Sequence, residues 1–420
     1  MAYIKSTTKT LIVGQGYVGV SLAVAAVSAG HVVTGVDTDR ARLDLLRSGI
    51  SPVSNVPSAV LQQSLKTGRY AVSDDYGFDS SFDFAVIAVP TPLKDGRPQL
   101  RFIEEAAVEL AKRLSPNCTV ILESTTYPGT TEELLVPLLE EGSGLVAGLD
   151  FLVGYSPERI DPGNETWNLL NTPKITSGIN PKSAEAVSAF YVGLGISCVP
   201  VSGTREAEMT KLLENTFRHV NIALVNELLL FANYLGVDFR EALDAAKTKP
   251  FGFMGFDPGP GVGGHCLPVD PSYLSWAISE KSGKKFQFVE LANQINLSMP
   301  SFVADRAIAM LENDGIQIRS SKIAVFGLAY KANTADIRES PALEVVRILE
   351  SRGATVSVFD TLVPDLTWPT EISRDNGLDS FEVGIILVAH SNLKTSGFLE
   401  RCNAVLDTRG VLAGPNVTQL

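Results

Sequence analysis

Cys266 stands at the end of Gly259-Pro260-Gly261-Val262-Gly263-Gly264-His265-Cys266. This is loop sequence, unlike the apolar strand or helix that usually houses a structural cysteine. A thiol in such a place serves as a nucleophile when a nearby cation or base favours the thiolate. His265 precedes it, and as an isolated histidine it reads as structural or substrate-positioning rather than as a base. Asp270 follows four residues on, on the same side of a helix expected to begin near Pro268 or Pro271. Cys118, Cys198 and Cys402 lie in or beside apolar segments and read as core residues. Four cysteines at this spacing form neither a disulfide framework nor a metal-ligand pair, so no metal is expected.

Two further groups carry chemical potential. Lys211, Asn215 and Arg218 recur at i, i+4 and i+7 and share one face of a predicted helix. A solvated stripe would also account for them, although asparagine is a poor helix former and argues for a specific role. Gly14-Gln15-Gly16-Tyr17-Val18-Gly19 follows a predicted strand and opens a helix. Glycines there permit a tight turn and let backbone N–H groups approach a pyrophosphate at the helix N-terminus. The next strand ends in Asp37, whose carboxylate would accept ribose hydroxyls and repel a 2′-phosphate, which selects NAD over NADP. Later in the chain, Gly327-Leu328-Ala329-Tyr330-Lys331 repeats the strand–turn signal with Ala329 at the middle glycine, and its next strand ends in Asp360. The methyl group argues against a second dinucleotide site. Another nucleotide held partly by Lys331, or a purely structural turn, remains.

The elements that must position these residues alternate as parallel βαβ units do. Strands are expected at residues 10–13, 32–36, 84–89, 119–123, 151–154 and 196–201, with helices at 102–114 and 131–140. From Thr204 to Leu235 one long helix is expected, with Thr204 as N-cap and Gly236 at the C′ position. At about 45 Å it is long enough to link two domains and present residues to a cleft between them. Loop sequence fills 248–274, and helical texture returns until about residue 313. A second series of strands follows at 323–326, 355–359, 384–388 and 404–406. The fold class is therefore α/β: two Rossmann-like, doubly wound domains joined by a long central helix and a helical middle domain. The divisions expected are 1–203, 204–313 and 314–420.

Composition narrows the functions. The chain has 420 residues, 45% of them apolar, which excludes a disordered protein. A net charge of −12 argues against general nucleic-acid binding. The first ten residues lack a signal-type apolar stretch, and the apolar run at 20–29 is too short for a bilayer, so a soluble cytoplasmic protein without membrane partners is expected.

Taken together with Val89-Pro90-Thr91-Pro92, Glu123-Ser124-Thr125, Ser156-Pro157-Glu158-Arg159, Lys211-Leu212-Leu213-Glu214-Asn215, Gly263 to Asp270 and Arg338-Glu339-Ser340-Pro341, these motifs resemble the UDP-glucose/GDP-mannose dehydrogenase family along nearly the whole chain. The resemblance implies a four-electron oxidation of a sugar C6 alcohol to a carboxylate with two NAD molecules in succession. It makes Cys266 the nucleophile that forms a thiohemiacetal and then a thioester, and Glu158 the residue that activates or positions the hydrolytic water. Lys211, Asn215 and Asp270, with Thr125 holding a water, would move protons and stabilise oxyanions; either Asp270 or Lys211 would take the first proton. A cationic Lys211 would suit both an alkoxide and a thiolate.

For NAD, the resemblance implies Gly14, Gly16, Tyr17, Val18, Gly19, Asp37, Thr91 and Thr125, with Arg338 reaching from the C-terminal domain. Arg40 either meets the adenosine or is a helix-surface charge. For the UDP-sugar it implies Glu158, Arg159, Lys174, Lys211, Asn215, Arg218, Gly263, Lys331 and the 252–260 loop with Phe256. Residues 217–223 and the His265-Cys266 pair resemble the branch acting on UDP-N-acetylhexosamines, with UDP-glucose the alternative sugar. A two-electron hydroxyacid dehydrogenase would need neither the cysteine nor the second α/β domain. A nucleotide-sugar-binding regulator without catalysis would not need Cys266, Lys211, Asn215 and Asp270 intact. The long helix, too apolar for its flanking domains to cover, implies a homodimer or larger homo-oligomer, as does the resemblance.

Overall fold

The computed structural model describes residues 8–76, 81–94, 96–161, 164, 166–264, 267–363, 380–391, 393 and 399–420. His265 and Cys266 lie outside the described residues. Two compact units divide the chain between Glu214 and Asn215, within a helix that runs unbroken over Thr204–Leu235.

The first unit holds strands Lys9–Val13 (β1), Val32–Val36 (β2), Tyr70–Ser73 (β3) and Phe84–Ile87 (β4). A short antiparallel hairpin, Leu93–Lys94 (β5) with Arg97–Pro98 (β6), follows. Next come Thr119–Leu122 (β7), Leu152–Tyr155 (β8), Lys174–Thr176 (β9) and Cys198–Pro200 (β10). The main sheet is parallel in the order β3-β2-β1-β4-β7-β8. Alternation along β1 sends Leu11 and Val13 into one apolar cluster with Ile103, Ala107 and Leu110, and Ile12 into another with Val20, Phe190 and Tyr191. Helices therefore cover both faces, and the strands read as continuous apolar runs. Ile12 lies opposite Gly35 and Val86 in the register. Gly35 must lack a side chain because a Cβ there would meet the Gln15 amide at 2.5 Å.

The second unit holds Lys322–Phe326 (β11), Thr355–Phe359 (β12), Phe381–Ile386 (β13), Cys402–Asp407 (β14) and Val417–Gln419 (β15). They form a parallel sheet in the order β12-β11-β13-β14-β15. The helix Gln287–Asn313 packs Met299, Val303 and Ala307 into a core with Ile323, Val325 and Ile385.

The expected long helix has the observed bounds, and Gly236 takes φ +65°, where other residues are strained. Thr204 does not cap it. It is the first helical residue, and its hydroxyl donates to Glu132 Oε1 at 2.8 Å. The expected strand at 196–201 shortens to β10, which pairs with β9 in a separate two-stranded sheet. Strands β3, β9 and β15 were not expected; each is only three or four residues long. No helix among the described residues is long and apolar enough to cross a membrane.

Candidate active site

Residues 14–19, 88–92, 123–126 and 156–159 follow the carboxyl ends of β1, β4, β7 and β8, the edge where open parallel sheets bind ligands. The order places β1 beside β4, the point at which the winding reverses. Gly14 takes φ +94°, and a Cβ on it would run into the Ala88 carbonyl; one on Gly19 would run into the Gly14 carbonyl. These two glycines are demanded by packing. A Cβ on Gly16 would meet nothing within 4 Å, so its absence leaves a cradle beside the N-terminus of the helix Tyr17–Ser28, which no side chain caps. That is the shape and polarity a dinucleotide pyrophosphate requires.

Asp37 is buried and accepts from the backbone N–H of Gln15 at 2.7 Å and of Asp39 at 2.9 Å. Its charge partner is Arg42, with Nη1 at 3.0 Å from Oδ2. Arg40 points elsewhere: 84% exposed, it pairs with Asp74 at 3.3 Å, which corresponds to the helix-surface alternative. Tyr17 Oη lies 3.2 Å from Ser54 Oγ, and Val18 is half-buried. Thr91 is buried, and Ser124 Oγ donates to the Val89 carbonyl at 2.8 Å, tying the loop after β4 to the one bearing half-buried Thr125.

The long helix is anchored to the same region. Buried Glu208 accepts from the N–H groups of Gly129 at 2.6 Å and Thr131 at 2.8 Å, and from the Thr131 hydroxyl at 2.7 Å. Burial pushes its carboxyl up to about 7 against those hydrogen bonds. One turn on, buried Lys211 donates from Nζ to the Glu158 carbonyl at 2.6 Å. Glu158 Oε1 accepts from the N–H groups of Arg159 at 2.8 Å and Ile160 at 2.5 Å. The Arg159 guanidinium is held by Glu214 at 2.7 Å and the Pro173 carbonyl at 2.5 Å.

Lys174 is 3% exposed. Its Nζ lies 3.1 Å from Glu123 Oε1, 3.5 Å from Glu158 Oε2 and 3.3 Å from the Pro157 carbonyl. Burial works against its charge, but the two carboxylates outweigh that and hold its pKa above the ordinary value. Glu123 is shifted upward, chiefly by burial. The Tyr191 hydroxyl donates to Glu123 Oε1, and burial raises the phenol well above its usual range.

In the second unit, Asn215 Nδ2 donates to Asp270 Oδ2 at 2.5 Å. Asp270 is 1% exposed and opens the helix Asp270–Ser282 with Pro271 in its first turn, within the expected range. Arg218 is exposed. The glycines before Cys266 serve close packing. A Cβ on Gly263 would meet the Glu339 carbonyl at 2.6 Å, and one on Gly264, at φ +81°, the Tyr330 ring at 2.7 Å. The Gly264 N–H donates to the Arg338 carbonyl at 3.0 Å, while the Arg338 guanidinium binds Asp336 at 2.5 Å. Phe256 meets Phe217 edge to face at 5.9 Å, beside an apolar cavity of about 620 Å³ whose lining includes Leu224, Leu228 and Phe239. Among the described residues no charged side chain lines that cavity, which suits it poorly to a diphosphate.

The turn after β11 repeats that after β1. Gly327 takes φ +86°, and buried Asp360 accepts from the N–H groups of Leu328 at 2.7 Å and Leu362 at 3.0 Å. His390 Nδ1 accepts from the Asn333 N–H at 3.0 Å, so Nε2 carries the proton and donates to Asp360 Oδ2 at 3.1 Å. With Ala329 buried at the middle position, this carboxylate is committed to its own loop, and Lys331 stands half-buried behind it in sequence.

Three family models match in succession: the NAD-binding domain of the UDP-glucose/GDP-mannose dehydrogenases over residues 8–194, their central domain over 205–298 and their UDP-binding domain over 324–414. The chain belongs to the UDP-glucose/GDP-mannose dehydrogenase family. It is an NAD-dependent nucleotide-sugar dehydrogenase, with a UDP-binding domain that implies a nucleotide-sugar substrate. It is similar to the UDP-N-acetyl-D-mannosamine dehydrogenase of Pyrococcus horikoshii, 34% identical over 412 residues, with 97% of this chain and 96% of the relative covered. It is likewise similar to the UDP-N-acetyl-D-glucosamine 6-dehydrogenase of Pseudomonas aeruginosa, 34% identical over 404 residues, with 93% and 92% covered. The solved UDP-D-ManNAc dehydrogenase from P. horikoshii superimposes with a TM-score of 0.89 at 32% identity, with 98% of each chain covered.

Within this dehydrogenase, sequence reasoning missed Arg42, Tyr191, Glu208 and His390 as site-supporting residues, and it quoted Glu123 only as part of a motif. One signal was available: Glu123 completes the apolar run Thr119–Leu122, where a charge needs a partner.

Proposed function

We propose that this protein oxidises the C6 alcohol of a UDP-N-acetylhexosamine to the carboxylate in four electrons. The observation that carries the choice of sugar is the end-to-end similarity to relatives named for UDP-N-acetyl-D-mannosamine and UDP-N-acetyl-D-glucosamine. Two NAD molecules, bound in succession, would each supply a hydride acceptor at C6. Lys211, Asn215 and Asp270 relay the alcohol proton and stabilise the oxyanion; the part-buried Asn215–Asp270 hydrogen bond supports their acting together. The Cys266 thiolate adds to the aldehyde carbon as a thiohemiacetal, whose oxidation gives a thioester. Water, with its proton passing to Glu158, attacks the thioester carbonyl; the C–S bond breaks, the uronate leaves and the thiolate is restored. Thr125 holds a water. Arg159, Lys174, Arg218, Phe256, Gly263 and Lys331 remain the substrate-side assignments, although the buried ion pairs of Lys174 favour a supporting role over direct contact.

The site residues of the cofactor, from Gly14 to Arg338, follow the same reading, as do the domain divisions 1–203, 204–313 and 314–420. The free thiols of Cys118 and Cys198 support a reducing, cytoplasmic location. Exposed Phe217, Leu224, Leu228, Phe231 and Leu235 recur along one stripe of the long helix, which supports a homodimer. Light scattering on Leu228→Asp/Phe231→Asp tests that, with a shift to monomer expected.

The decisive experiment is NADH yield per nucleotide sugar across a substrate panel. Two NADH per sugar, with UDP-N-acetylhexosamines turned over faster than UDP-glucose, is expected. One NADH per sugar would sink the four-electron reading, and faster UDP-glucose turnover would sink the sugar.

A further inference from the structure

Glu158 belongs to a charge cluster whose other members, Lys174 and Glu123, take no part in the steps above. Of its two carboxylates, Glu123 has a side chain 1% exposed and Glu158 14% exposed, so only Glu158 reaches solvent. One ammonium, Lys174, serves both, at 3.1 Å and 3.5 Å. Its ring neighbour is Tyr191, with the centroid 4.9 Å from Nζ. Among the described residues Lys174 is the donor nearest Glu158 Oε2, at 3.5 Å, and it also meets Glu123, so it is the common electrostatic partner of both groups.

We propose that Lys174 and Glu123 are positioning residues for Glu158: Lys174 holds the Glu158 carboxylate as its counter-ion at the end of β8, and Glu123 lets that carboxylate take up a proton without leaving Lys174 unpaired. The proposal rests on the reading of Glu158 as the base in thioester hydrolysis. The physical reason is the cost of an isolated buried charge. An ammonium at the position of Lys174 with Glu158 as its sole counter-ion would be stranded once Glu158 gained a proton from water. Glu158 would then hold its negative charge too firmly to act as a base. With Glu123 behind it, Lys174 is still neutralised after the transfer. Glu123, at the inner end, is the carboxylate that water does not reach.

Other groups facing the cluster hold their roles through the step. Lys211 donates to the Glu158 carbonyl and not to its carboxylate. The Arg159 guanidinium is bound to Glu214, and only its backbone N–H meets Glu158. Tyr191, on the helix Pro181–Gly193, donates to Glu123 and stays neutral. Cys198, on β10, feels the Lys174 charge but is kept protonated by burial.

The test is the pH profile of the hydrolytic step, read by quenched flow as uronate release after the NADH burst. Glu123→Gln strands Lys174 on protonation of Glu158, so the acid limb should move to lower pH by about one unit or more. Lys174→Met leaves Glu158 facing an uncompensated carboxylate, so its limb should move to higher pH. The double variant Glu123→Gln/Lys174→Met should return towards the wild-type profile. Shifts of opposite sign that cancel in the double variant are not produced by loosened packing. Glu123→Gln keeps the Lys174–Glu158 pair balanced, so it decides the matter even if Lys174→Met fails to fold. An acid limb unmoved, or moved upward, in Glu123→Gln while the enzyme still yields two NADH per sugar would overturn the proposal alone. A yield of one NADH would overturn it together with the reading it rests on.

Discussion

Arg42 Nη1 lies 3.0 Å from Asp37 Oδ2, so the carboxylate at the end of β2 carries its own counter-ion. The pair is only partly screened, since Arg42 is 35% exposed and Asp37 8%. Asp37→Ala should weaken NAD binding about tenfold through loss of a charged ribose acceptor. It should also free Arg42 to attract a 2′-phosphate, so that NADP binding improves. Calorimetric titration with both cofactors checks this. Asp37→Ala/Arg42→Ala should lose the NADP gain, and unchanged NAD affinity would remove the cofactor from the β1 loop.

The loop before Cys266 has no room for side chains at Gly263 and Gly264. Gly264 combines φ +81° with a Cβ direction that points into the Tyr330 ring. Gly264→Ala should therefore distort the loop at a cost of roughly 1–3 kcal/mol. Turnover should drop more than tenfold, well beyond any loss of NAD affinity. Gly264→Ala/Tyr330→Ala should recover only part of the activity, because the backbone strain persists.

Asp360 gives the second unit a pH-dependent contribution. Burial alone would raise its pKa, but the hydrogen bonds from His390, Leu328 and Leu362 outweigh that and hold it below the ordinary value of 3.8. A depressed carboxylate stabilises the fold above its unfolded pKa and loses that contribution as pH falls through the folded one. Asp360→Ala should destabilise by roughly 3 kcal/mol at neutral pH, leaving four donors, those of Leu328, Ala329, Leu362 and His390, without their acceptor. Urea denaturation at descending pH should show the ionic part of that difference shrinking below about 3.8. A difference that stayed constant into acid would contradict an ionised Asp360.

Cys266→Ser separates the four-electron route from simpler ones. A hydroxyl is less acidic and less nucleophilic than a thiol, and its ester turns over more slowly. Steady-state NADH production should collapse by several orders of magnitude while nucleotide-sugar binding stays near normal. Mass spectrometry after a single turnover should find sugar attached at residue 266. Near wild-type turnover in the serine variant would leave a two-electron dehydrogenase as the better account.

Some of the site was written in local pattern. The glycines at 14, 16 and 19, the acid ending β2, the bounds of the long helix and the apolar strands each depend on neighbours within a few residues, where periodicity and capping operate. Asn215 stood out because it is costly inside a helix, and its bond to Asp270 supplies the reason. Very short strands carried too few residues to show a period, so β3, β9 and β15 escaped notice.

Residue types and spacing by themselves determined the two Rossmann-like halves and the glycine loop after β1, while candidates such as Thr125, Glu158 and Lys174 came from the family resemblance. Tertiary structure alone decided which charges meet. Arg42 rather than Arg40 serves Asp37 because the turn begun at the Asp39 N-cap points one inward and the other to solvent. Lys174 carries no sign in its own surroundings of the carboxylates at 123 and 158; β7, β8 and β9 bring them together from 51 and 16 residues away. Burial then sets what those groups can do, because a charge in a dry interior depends on every partner within a few ångströms, and those partners are chosen by the sheet rather than by the chain order.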